Sequence, residues 1–194
     1  MAESCAATTR AQALTSAREL SIGGLMIALG LLVPWLFHFA GPQVATVFLP
    51  MFLPVLMCGL LTRPAVAATV GLVTPLLSSA LSGMPPSPLC FLMAFELCAL
   101  GAAASFAYRR ARLPLLLAVV VAMLAARAIV AVEIVTIAPL LGVKQHLWAY
   151  VVLQYLGSWP GLVLQLTVVP GAVRAIEKLG VLASPVRAPA ERHP

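Results

Sequence analysis

The chain has 194 residues, 62% of them hydrophobic and only 9% charged, with a mean hydropathy of +1.04. Water-soluble domains do not have this composition, so a soluble fold is excluded, and the length suits one compact bundle of five to seven membrane helices with no soluble catalytic head. The net charge of +6, from 12 basic against 6 acidic residues, is the excess that membrane proteins carry on their cytoplasmic side rather than a mark of nucleic-acid binding.

The N-terminal stretch carries Arg10 and Arg18 and a polar run from Ala6 to Thr15. It lacks the apolar core and small-residue cleavage site of a secretory leader, so no cleaved leader is expected. Six apolar segments follow, at roughly 20–37, 47–61, 65–82, 89–108, 114–137 and 147–172. Each is long enough to cross, or nearly cross, ~30 Å of hydrocarbon. These boundaries predict an all-α integral membrane protein: a segment at 1–19, a six-helix bundle at 20–172 and a tail at 173–194. The second segment is short and holds Pro50 and Pro54, so it should begin irregularly, which lipid tolerates only where the backbone packs against protein or lines a cavity.

The first segment carries Gly24 and Ala28, a small-xxx-small step with Ser21 before it and Gly30 beyond it. Such a smooth strip lets another helix approach closely, either from this bundle or from a partner. The turns at 38–46 and 82–88 are uncharged and rich in Pro and Gly, as stiff binding rims would be.

Arg63, Arg109, Arg110 and Arg112 lie in the 2–3 and 4–5 connections. Together with Arg10, Arg18, Arg174, Lys178, Arg187 and Arg192 they put ten basic residues on one side, against Lys144 alone on the other. That asymmetry predicts both termini in the cytoplasm.

Three charged residues fall inside the apolar segments: Glu96, Arg127 and Glu133. Ionised groups in lipid cost at least ~2.5 kcal/mol on insertion scales and are retained mostly beside a partner, a cavity or a ligand. From helix direction, Glu96 lies about 10 Å and Arg127 about 15 Å from the outer surface, so these two are the expected pair. Glu133 stands six residues from Arg127, which is not a same-face spacing, so Glu96 is the better partner for Arg127. His38, Gln43, Gln154, Trp148 and Trp159, with a kink expected at 158–161 and Gln165 deeper, add amides and aromatic rings to the same half. Such a set suits a small polar molecule, and a ligand carboxylate would pair with Arg127. His38, Trp148 and Trp159 could equally anchor the membrane interface.

The four cysteines have no CxxC spacing and read as small packing residues, with no metal or cofactor implied. There is no Walker loop and no Asp, so this chain should not hydrolyse ATP, and the H-E-x-x-H and G-x-S-x-G motifs are missing as well.

Taken in order, the stretches GLMIALGLLVPWLFHFAGPQ, FLPMFLPVLMCGLLTRPAVAATVGLVTPLLSS, SGMPP, MAFELCALGAAASFAYRR and WPGLVLQLTVVP resemble an S component of the energy-coupling factor (ECF) vitamin transporters. Arg63-Pro64 stands where that family commonly has Gly-Pro. The resemblance spans roughly residues 17–178. It implies a substrate-binding subunit in a prokaryotic cytoplasmic membrane that captures a small water-soluble vitamin or precursor from outside. The same resemblance implies a membrane coupling protein and two ATPase subunits as partners, with ATP used by those subunits. It maps the coupling contact onto Gly24 and Ala28 and the ligand site onto Gln43, Glu96, Arg127 and Gln154. The residues alone leave a rival open, a stand-alone proton-coupled carrier in which Glu96, Glu133 and His38 titrate.

Overall fold

The computed structural model describes residues 2–38, 48–136 and 157–178. Among them six α-helices occur and no strand: α1 (Ala2–His38), α2 (Phe52–Leu61), α3 (Pro64–Ser82), α4 (Leu89–Ser105), α5 (Leu115–Thr136) and α6 (Trp159–Lys178). Five of these are long and apolar enough to cross a membrane, and the chain is a multi-pass membrane protein. α1 is continuous over 37 residues, so residues 2–19 run into the membrane segment as one helix.

α2 is the exception, at ten residues or about 15 Å. Leu49, with φ 47°, Pro50 and Met51 lead into it and are all buried. The irregular start expected from the prolines is therefore packed inside protein, as lipid requires. α2 is a half-length helix at the centre of the bundle, with Val55, Leu56 and Cys58 fully enclosed.

Close approach of α2, α3 and α4 depends on missing side chains. A Cβ on Gly71 would strike the Leu97 carbonyl, one on Gly101 would lie 2.6 Å from the Ala67 carbonyl oxygen, and one on Gly59 would lie 2.7 Å from the Gly101 carbonyl oxygen. Without a hydrophobic drive between helices in lipid, this backbone-to-backbone contact is what packs them. α1 joins through Gly23, against Val66 and Val70, and Gly30, whose Cβ would meet Thr74 Cγ2 at 2.6 Å. Gly30 therefore belongs to internal packing and not to the strip that begins at Gly24.

One end of the bundle gathers basic residues. α4 continues as a π-helical turn, Phe106–Arg110, whose last residues bond outward to neighbouring helices. Arg109 Nη1 donates to Glu19 at 3.1 Å and to the Leu61 carbonyl at 2.9 Å, Arg63 Nε donates to Glu19 at 2.5 Å, and Arg63 also reaches Ser16 Oγ. Ser105 Oγ donates to the Thr62 carbonyl at 2.6 Å. The carbonyls at and just beyond the end of α2 are thus capped by donors from α4, one of them cationic, where the helix dipole favours positive charge. Tyr108 donates to Glu177 at 2.7 Å, tying α6 to the same end.

At the opposite end, Gly83 in the left-handed region (φ 72°) stops α3 and donates to the Ser79 carbonyl. Ser78 Oγ then donates to the Met84 carbonyl at 2.8 Å. This turn, which contains cis Met84–Pro85 and Ser87–Pro88 bonds, is bonded to the helix it leaves.

Candidate ligand site within the helix bundle

α4 and α5 bring Glu96 and Arg127 together. Arg127 Nη1 donates to Glu96 Oε1 at 2.7 Å, with the two side chains 8% and 5% exposed. On α5 the buried residues Leu115, Ala118, Val119, Ala122, Ala126, Val130 and Glu133 recur every three or four positions and form the seam facing the core. Arg127 stands one position off that seam, and its long stem carries the guanidinium inward. The guanidinium lies 5.7 Å from the centre of the Phe52 ring, within cation–π range. Since Phe52 opens α2, the half-length helix begins at the level of the ion pair.

Glu133, six residues from Arg127, nevertheless sits on the inner seam of α5 and is only 4% exposed. Its distance from Ala126, seven residues, is the spacing that counts, because Ala126 and not Arg127 marks the inward face. Among the described residues Glu133 Oε1 has no hydrogen-bond partner, and the carboxyl group is within electrostatic reach of Glu96. Gln165 on α6 is the other buried residue with an unpartnered polar atom among the described residues: it is 1% exposed, and its Nε2 has no acceptor. It falls on the inner face of α6 with Gly161, Val169 and Val173, about 9 Å from the start of that helix at Trp159. Buried polar atoms are nearly always bonded, so two orphans in the half of the bundle that holds an ion pair mark this region.

The other expected site residues divide. Trp159 is largely exposed at the start of α6, where an aromatic ring suits a membrane interface. The 158–161 stretch forms that start: Leu162 N donates to the Ser158 carbonyl at 3.1 Å, and Pro160 sits in the first turn, where its missing N–H costs little. His38 closes α1, but its side chain lies outside the described residues, as do Gln43, Trp148 and Gln154.

Gly24 and Ala28 are both exposed, and a Cβ on Gly24 would meet nothing within 4 Å. The described bundle does not use that strip for its own packing. Cys58 and Cys90 are buried free thiols, and no group of three metal-ligating side chains occurs among the described residues. Comparison with protein-family models, with curated proteins and with solved structures finds no match.

Proposed function

We propose that this chain is the substrate-binding membrane subunit of an ECF-type transporter, taking up a small water-soluble vitamin or precursor. The observation that carries the reading is the buried polar group of Arg127, Glu96 and Glu133 inside an otherwise apolar bundle, with one carboxylate oxygen unsatisfied. Charges in lipid mark ligand or ion pathways by default, and an incompletely bonded group has room for one more partner. Glu96 lies about 10 Å from one end of α4, within reach of a molecule entering from that side. The exposed strip at Gly24 and Ala28 supports docking of a coupling protein, and the lack of a Walker loop in the sequence agrees with ATP being hydrolysed by separate subunits.

In this reading the basic end is cytoplasmic and all six apolar segments act as spans, α2 by way of its irregular lead-in. His38, Gln43 and Gln154 contribute to the outer part of the site and Trp159 to its rim, in a prokaryotic inner membrane. Side-reporting fusions should then place residue 85 outside and residue 111 inside.

The test of function is uptake by vesicles that hold the chain with its coupling protein and two ATPases. Uptake should require ATP and stop when the ATPases are inactivated. The orphaned carboxylate of Glu133 also favours a second reading, a stand-alone carrier that moves protons through it. Uptake without partner ATPases that collapses with the proton gradient would establish that reading instead.

A further inference from the structure

Among the described residues, the buried charges of the candidate site do not balance. Arg127 is met by Glu96 at 2.7 Å, both side chains lying almost wholly out of solvent. Glu133, on the inner seam of α5, brings a second carboxylate within electrostatic reach of the first, and its Oε1 has no donor. Among the described residues one cation therefore faces two carboxyl groups. A ligand carboxylate on Arg127 would be a third carboxyl group around the one cation of the described residues.

We infer that the molecule bound by this chain presents a cationic nitrogen, such as a protonated amine or amidine, and that Glu133 is the residue that receives it. This rests on the reading of the chain as a binding subunit. A compact cation at Glu133 would supply the missing donor and neutralise the group. Charge-assisted N–H bonds to a carboxylate are about twice as strong as neutral ones, and low dielectric strengthens them further.

The purified full chain in mild detergent tests this with two probes. A small-molecule extract of the host cells is split at pH 7, with EDTA present, into the fraction held by a cation exchanger and the fraction held by an anion exchanger. The unfolding temperature is measured with each. The cationic fraction should raise it by about 3 °C or more, as a ligand well above its Kd does, and the anionic fraction should not. Glu133→Gln should abolish that response, whereas Glu133→Asp should keep part of it. Stabilisation by the anionic fraction alone, or an undiminished response in Glu133→Gln, would overturn the inference and leave the binding-subunit reading standing. The second of these results is also what a merely protonated Glu133 would give, because glutamine resembles the protonated acid. Stabilisation by neither fraction would overturn both. The contrast between fractions needs no variant, so it decides the charge of the ligand even if Glu133→Gln does not fold, and Glu133→Asp then tests the residue.

Discussion

Among the described residues, two clusters of charge sit in this bundle with opposite stoichiometry. At the basic end, Arg63 and Arg109 share Glu19, whose carboxylate oxygens are both bonded while the arginine side chains stay 54% and 30% exposed. Among the helices, Arg127 stands against two carboxylates, all three side chains are buried, and one oxygen of Glu133 has no donor. The first is a completed tie between α1, the α2–α3 connection and α4, with surplus cation free to be hydrated. The second is incomplete among the described residues. Satisfied polar groups specify a fold, and an unsatisfied one in the low-dielectric interior persists where something else supplies its partner.

The largest expected effect comes from removing Arg127, the one cation of the inner cluster among the described residues. Arg127→Ala leaves Glu96 and Glu133 uncompensated and should cost about 3 to 5 kcal/mol in reversible unfolding in detergent. Adding Glu96→Gln should recover part of that loss, because the two residues act as one unit; additive losses would show that they do not.

One substitution made in both clusters should change sign between them. Glu19→Met strips the shared acceptor from two arginines, which can still hydrate, so the cost should be about 1 to 2 kcal/mol. In the ligand-free protein, Glu133→Met replaces an orphaned acceptor with an apolar side chain of similar length and should raise stability by about 1 kcal/mol. Equal destabilisation by both, read from midpoints of thermal unfolding, would remove the distinction between tie and site.

The smallest effect on folding is expected at Gly24→Leu, within about 0.5 kcal/mol of the wild type, because nothing in the described bundle faces that position. Energised uptake should nevertheless be lost in that variant while ligand binding persists. Normal uptake would show that no partner uses the strip.

How far these features can be read in the sequence depends on whether they are local. Helix direction and a rise per residue sufficed to bring Glu96 and Arg127 to one depth, and Pro50 and Pro54 marked the irregular entry to α2. Which face of a helix turns inward was harder to read. In so apolar a chain the periodic contrast between faces is weak, so Glu133 was measured from Arg127, a residue standing beside the seam, rather than from Ala126, which lies on it. The same ambiguity affects α1, where Gly23 and Gly24 are neighbours in sequence but only Gly23 packs inward. Glu19 carried no signal at all, because its partners lie 44 and 90 residues away and only the fold brings them together.

Native mass spectrometry of the full chain, released gently from detergent, sets the two clusters against each other in one measurement. The wild type and Glu19→Met should both carry a bound small molecule of the same mass, and Glu133→Met and the Arg127→Ala/Glu96→Gln double variant should carry none. An empty wild type, or a molecule retained equally by all four proteins, would contradict the assignment of the inner cluster as a ligand site.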